Sequence, residues 1–347
     1  MKMKAEALWS EQSAEESTME RLKVGFVGAG GIMGVHAPIL SKHPDVELVG
    51  VADVFAPAAE KFAQTYDVPF QTQDFRDLIE RVDAVLIGIP THLHSAAAVE
   101  FLKAGKAVFC EKPLARTIEQ ADAILSAAQQ SGAPLQVGFV RRFDAEWLAW
   151  CQAVQQERVG RPVMWRDVQA HSGAPSAWYY VDEQGGGPFL DGCIHNIDFS
   201  LKTFGPAQWA FCHARSFKNS SALDSGSATI RFKSGDEMLL AWSWGLPKDV
   251  SGSTVFEIIG PRGVISFPRD DAKEPSFIVS TAEHRERVGF PANALMTGFE
   301  AQMDEFIHVA RGQAQPRAGG AQGREALHLA LAILESGRTQ QVVQVGN

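Results

Sequence analysis

The sequence predicts an α/β protein in two parts: a doubly wound parallel sheet, then an α+β region with a large, mainly antiparallel open sheet. Three observations carry this. Short apolar runs alternate with helical stretches from Leu22 to Arg142, the pattern of parallel strands joined by helices. Strand-like segments dominate from Val163 to Ser280, which suits antiparallel pairing. A length of 347 residues is ordinary for two domains.

Composition narrows the class. Hydrophobic residues make up 45% and charged residues 21%, as in globular proteins. The net charge of −9 gives no electrostatic case for nucleic acid or an anionic membrane. No apolar run approaches the roughly 20 residues of a membrane span. Cys110, Cys151, Cys193 and Cys212 form no CxxC pair, so reduced thiols and a cytoplasmic location are expected. Residues 1–21 lack the apolar stretch of a secretory signal and read as a polar arm.

The elements follow in order. Lys23–Val27 is the first strand, ending in Gly28-Ala-Gly30-Gly31-Ile32-Met33-Gly34, and a helical stretch runs to Ser41. Glycines between a strand and a helix let backbone approach a pyrophosphate seated on the helix N-terminus. Met33 stands where the third fingerprint glycine belongs, and Gly34 comes one place late. The second strand, Val46–Ala52, ends in Asp53, an acceptor spaced for a ribose 2′-hydroxyl. Helices are expected over Ala58–Tyr66, Phe75–Glu80 and Ser95–Lys103, and strands over Ala84–Ile89, Ala107–Cys110 and Leu135–Phe139. Thr117 caps a helix reaching about Gln130. The Ala107–Cys110 strand runs into Glu111-Lys112-Pro113. Ligands of open parallel sheets bind beyond the carboxyl ends of the strands, which puts Lys112 at the mouth.

In the second half, Phe143–Glu157 is a helix with Trp147, Leu148, Cys151 and Val154 on one face. Strands are expected over Val163–Ala170, Trp209–Phe217, Ser225–Phe232, Glu237–Trp244, Thr254–Ile259, Val264–Phe267 and Phe277–Ser280. Helices over Leu295–Arg311 and Arg324–Ser336, a loop over Gly312–Gly323 and an edge strand over Val342–Val345 close the chain. Between them, Gly185-Gly-Gly-Pro188 opens a further helix. On it Asp191, His195, Asp198 and Lys202 form one stripe, placing a histidine between carboxylates that could orient and tune it. Trp242 and Trp244 share a sheet face by the period of two, which suits packing within the chain or, with Phe256, burial against another subunit.

Four motifs make a resemblance specific: GAGGIMGVH at 28–36, IPTHLH at 89–94, AGKAVFCEKPLA at 104–115 and GFVRRFD at 138–144. In this order they resemble the Gfo/Idh/MocA oxidoreductase family, from Leu22 to the C-terminus. The resemblance implies a Rossmann NAD-binding domain over 22–142 and a substrate-binding and oligomerisation domain over 143–347. It implies Lys112, Asp191 and His195 at the reacting carbon, with Lys112, Arg141, His171, Asp191 and His195 contacting substrate. The cofactor-binding set is Gly28, Gly30, Gly31, Ile32, Met33, Asp53, Pro90, Thr91, His94, Glu111 and Lys112. Inositol dehydrogenases of the family carry an asparagine where Gly173 stands. Trp178, Tyr179 and Tyr180 either stack on a sugar or fill core.

The expected activity is NAD-dependent oxidation of a secondary hydroxyl on a sugar or cyclitol, with NADP disfavoured and no metal site. A glycoside hydrolase that oxidises transiently and a non-catalytic NAD sensor are the alternatives. The expected partners are a small polyol and a second copy of the chain, as a homodimer or homotetramer.

Overall fold

A computed structural model describes residues 20–268 and 275–346, so most of the expected 1–21 arm lies outside the described residues. The first sheet contains β1 (Leu22–Val27), β2 (Val46–Ala52), β3 (Gln71–Thr72), β4 (Ala84–Ile87), β5 (Ala107–Cys110) and β6 (Leu135–Val137). All its pairings are parallel, in the order β3-β2-β1-β4-β5-β6. The crossovers are α1 (Met33–Leu40), α2 (Ala56–Tyr66), α3 (His94–Lys103) and α4 (Ile118–Ser131). This is the doubly wound order, with its switch point between β1 and β4. β4 and β5 are buried along their whole length, as expected of strands covered on both faces. Thr117 caps α4, accepting from the Gln120 amide at 3.3 Å. The two-residue β3 was not foreseen, being too short for any alternation.

The second half contributes α5 (Ala145–Gln155), β7 (Met164–Ala170), α6 (Ile194–Phe204), β8 (Ala207–Arg215), β9 (Ser225–Phe232), β10 (Glu237–Ser243), β11 (Val255–Gly260), β12 (Gly263–Ser266), β13 (Ser276–Thr281) and β14 (Arg285–Gly289). It ends with α7 (Ala294–Ala310), α8 (Gly320–Thr339) and β15 (Val343–Gln344). Its sheet runs β14-β13-β12-β11-β7-β10-β9-β8-β15, antiparallel except for β7 with β10. The fold class is as the sequence predicts.

Four expectations are corrected. β14 escaped notice because its sequence, RERVG, exposes charges on an edge strand and shows no apolar alternation. On α5 Trp147, Cys151 and Val154 are buried as expected, but Trp150 rather than the half-buried Leu148 joins them. The glycine-rich stretch expected to loop through Gly323 is helical from Gly320. Its glycines serve packing: a Cβ at Gly323 would lie 3.0–3.1 Å from Leu114 and Val137. Finally, Trp242 and Trp244 are 7% and 4% exposed, and Phe256 packs against Trp147, Trp150 and Trp165. These side chains meet the chain's own helices and loops, so they need no second subunit.

The last two helices return to the first half. Met303, Phe306 and Ile307 of α7 share a core with Phe26, Phe109 and Val24. α8 buries Ala326, Leu327 and Ala330 among Val108, Leu114 and Val137.

Candidate active site

The glycine loop after β1 fits a dinucleotide. Gly28 has φ +99°, and a Cβ there would lie 2.6 Å from the Gly88 carbonyl, so only glycine lets β1 and β4 end so close together. Gly30 and Gly31 face open space. No side chain caps α1; the Gly34, Val35 and His36 amides donate to the Gly30 and Ile32 carbonyls, which leaves the Gly31, Ile32 and Met33 N–H groups at the turn for an anion. Met33 is fully buried, and its methyl end fills the room left by the missing Cβ of Gly88. The displaced glycine of the fingerprint is thus compensated from the strand side, and the Met33 side chain is sealed away from any cofactor. Asp53 accepts from Ala29 N at 2.8 Å and Phe55 N at 2.9 Å, which fixes its carboxylate beside the loop.

The other expected cofactor residues divide. Thr91 and His94 are 1% exposed. The His94 ring bridges the carbonyls of Pro113 and Ile89, each at 2.8 Å, bracing the two loops; burial lowers its pKa. Glu111 pairs with His36 at 2.8 Å, both buried. The Glu111 carboxylate also fills the space beside Gly138, where a Cβ would come within 2.8–3.0 Å of it. His36 therefore ties the phosphate helix to the Glu-Lys-Pro turn, a long-range link that the sequence shows only as a histidine on α1.

Lys112 follows. Its Nζ donates to Asp191 Oδ1 at 3.0 Å and to the Asp191 carbonyl at 3.3 Å. Burial opposes its charge, but Asp191 and Glu111 outweigh burial and the pKa is raised. Asp191 comes from a π-helical turn, Pro188–Gly192, that ends before α6 begins. The expected continuous helix is therefore broken. Asp191 and His195 are not one α-turn apart, and neither carboxylate bonds the histidine. Asp191 goes to Lys112, and Asp198 goes to Arg142 through three hydrogen bonds of 2.7–3.1 Å. His195 Nδ1 is sealed and unpartnered, while the ring as a whole is half-buried. Burial, then the charges of Lys112 and Arg141, push its pKa well below the usual histidine value. The imidazole is therefore neutral at ordinary pH.

Arg141 bonds Asp144 at 2.5 Å and lies over the Trp147 ring, with its charge felt at His195. His171 is more remote: it packs near Trp242 and Trp244, and Trp244 in turn covers Gly192. Gly173 has φ +79°, and a Cβ there would strike the Tyr180 hydroxyl at 2.1 Å. Tyr180 thus occupies the room that an asparagine would need.

Sequence reasoning missed two further groups. Buried Asp167 on β7 binds Asn196, the neighbour of His195, and Tyr179 reaches the charges of Lys112 and Asp191. The strand's alternation hides Asp167, and the sequence shows Tyr179 only as one ring of an aromatic triplet.

Residues 22–139 match the Gfo/Idh/MocA oxidoreductase family with its NAD-binding Rossmann fold, and residues 147–266 match that family's C-terminal domain. The chain belongs to the Gfo/Idh/MocA family. The family's cofactor is NAD, and the glycine loop with Asp53 fits it. Inositol 2-dehydrogenase of Rhizobium meliloti is 29% identical over 328 residues, spanning 91% of this chain and 96% of the relative. Inositol 2-dehydrogenase of Rubrobacter xylanophilus is 31% identical over 260 residues, 72% of each chain. The WlbA dehydrogenase of Bordetella pertussis, solved with NADH and UDP-GlcNAcA, superposes with a TM-score of 0.80 over 94% of this chain and 99% of its own. At 22% identity it shares the Gfo/Idh/MocA fold. Among the described residues, no helix is long and apolar enough to cross a membrane.

Proposed function

We propose that the protein is a dehydrogenase acting on CH–OH groups, oxidising a secondary hydroxyl of a pyranose or cyclitol. The observation that carries this reading is the Lys112–Asp191 ion pair beside a histidine held neutral. Lys112 holds the substrate hydroxyl oxygen and polarises it. His195, with Nδ1 sealed, takes the hydroxyl proton through Nε2. Asp191 orients Lys112. As O–H and C–H break and C=O forms, bound NAD supplies the acceptor for the hydride. Arg141 and His171 lie farther out as substrate contacts. The division of labour follows the chain: residues 22–142 hold the dinucleotide and residues 143–347 the substrate, with Lys112 and Arg141 reaching into the substrate site from the first part.

Relatives of this chain are inositol dehydrogenases. The occupied space at Gly173 counts against myo-inositol itself and in favour of another compact polyol. The test is a panel of free sugars, sugar acids and inositols followed by NADH absorbance. Turnover confined to simple alcohols or 2-hydroxy acids would refute the substrate class.

A homodimer, or a tetramer built from dimers, is the assembly we propose. Met164 and Ile259 pair in register, and both are exposed at 39% and 37%; Phe211 is also exposed. Light scattering at micromolar concentration would show a monomer if this is wrong.

A further inference from the structure

Tyr179 lies in the short 3₁₀ turn Ala177–Tyr180. Its backbone is fixed by the glycine run that follows. Gly187 N donates to the Tyr179 carbonyl at 2.9 Å, and Gly185 sits so close that a Cβ would lie 2.5 Å from Tyr179 Cα. Its ring is held on two sides. It stacks on Trp178 with centroids 3.7 Å apart and 25° between planes, and meets Trp244 edge-on at 5.9 Å. The ring is therefore preorganised, and the same glycine run leads into the turn that carries Asp191.

The hydroxyl is another matter. Of the chain's three tyrosines, Tyr66 bonds the Gly34 carbonyl and Tyr180 bonds the Ser172 carbonyl and Lys218. The Tyr179 hydroxyl has no protein partner among the described residues and is not sealed from solvent. The backbone nevertheless sets Tyr179 beside the Lys112–Asp191 pair: the Asp191 amide donates to the Gly187 carbonyl at 3.0 Å, Gly187 in turn donates to the Tyr179 carbonyl, and Trp244, which the Tyr179 ring meets edge-on, lies against Gly192. Lys112 has Tyr179 and His195 both within its field.

We infer that the Tyr179 hydroxyl is a substrate contact, donating a hydrogen bond to the polyol oxygen next to the hydroxyl that is oxidised. The inference rests on the dehydrogenase reading above. Burial, then the charge of Asp191, raises the phenol's pKa, so it stays protonated and acts as a donor rather than as a base. A vicinal diol is the chemistry that uses both positions: one oxygen at Lys112 and His195, its neighbour at Tyr179. An isolated secondary alcohol would leave the phenol unpaired, and a site built to bond a hydroxyl discriminates against analogues lacking it.

The test uses the full-length protein with NAD and whichever polyol the wild type oxidises, alongside its monodeoxy analogues lacking each vicinal hydroxyl. Tyr179→Phe keeps the ring and both aromatic contacts. The variant should lose about 2–10-fold in kcat/KM on the parent polyol, the scale of one neutral hydrogen bond. On one of the deoxy analogues, wild type and variant should be equal, because the partner atom is already gone. Tyr180→Phe, which removes a hydroxyl bonded within the protein, should show no such coupling. An equal loss on parent and analogues, or no loss on the parent, overturns the role of Tyr179 while leaving the dehydrogenase reading intact. A wild type inert toward every polyol overturns both.

Discussion

Asp167 should make the protein's stability fall as pH rises through the range where its carboxyl ionises. Asp167 has no exposed surface, and burial raises its pKa from 3.8 to about 6, against the opposing hydrogen bonds from Gln169 and Asn196. A raised carboxylate means that the folded state holds the proton more tightly than the unfolded chain does. Its contribution is complete below pH 3.8 and is lost as pH rises through about 6. At about 1.4 kcal/mol per pH unit, the whole effect is about 3 kcal/mol, of which about half falls between pH 5 and pH 8. Unfolding entropy of about 2.1 cal/mol/K per residue converts that to ~2 °C in melting temperature for a chain of this size. Asp167→Asn removes the titration and keeps the shape. Wild-type and variant melting temperatures measured by calorimetry from pH 5 to 8 should therefore diverge by ~2 °C, with the variant gaining toward pH 8. Parallel curves, or divergence of the opposite sign, would refute the reasoning.

The remaining predictions concern chemistry and packing. His195→Ala and Lys112→Ala should each lower turnover by about 10²–10⁴-fold while NAD affinity, measured by titration, changes less; near-normal turnover removes that residue from the mechanism. Because burial and the neighbouring cations depress the His195 pKa, kcat/KM for oxidation should stay level from pH 8 down past 6.5, with its acid limb lower still. A limb centred at 6.5 would show that the imidazole is not held as described. NAD should bind more tightly than NADP, since a 2′-phosphate would meet the Asp53 carboxylate and no arginine lies in Val54–Lys61; tighter NADP binding would contradict this. Gly192→Ala places a Cβ 2.6 Å from the Trp244 ring, and should cost roughly 1–3 kcal/mol in a denaturant titration.

The first sheet was legible because each of its principal strands is a short apolar run between turn signals, and β2 and β5 came out residue for residue. The second sheet was legible as a series of strands but not as a partnership of faces. Period two places Trp242 and Trp244 together, yet cannot say whether helices of the same chain or another subunit cover them. The site shows the same limit. Lys112 stood out through its strand-end position. Asp191 and His195 stood out as a helical stripe, but the stripe presumed a continuous α-helix, and the π turn at Pro188–Gly192 sends the two side chains to different neighbours. Nothing local marks His36 as the partner of Glu111, 75 positions away. Tyr179 sits in an aromatic triplet with Trp178 and Tyr180, and only tracing the two hydroxyls separates it from Tyr180.

The return of α7 and α8 to the first half bears on how the chain is made. Phe109 packs against Phe306, and the Val137 amide bonds the Ala318 carbonyl at 2.8 Å. On a ribosome, the strands that end at Cys110 and Val137 emerge long before the helices that cover them. With roughly 200 residues between Phe109 and Phe306, at 5–20 residues per second the delay is on the order of 10–40 s. During that interval the nascent nucleotide-binding half carries uncovered apolar strands, and a chaperone or a neighbouring nascent chain can reach them. A transcript broken before codon 294 would yield a product whose first sheet is complete in strands and still lacks both helices that return to cover it.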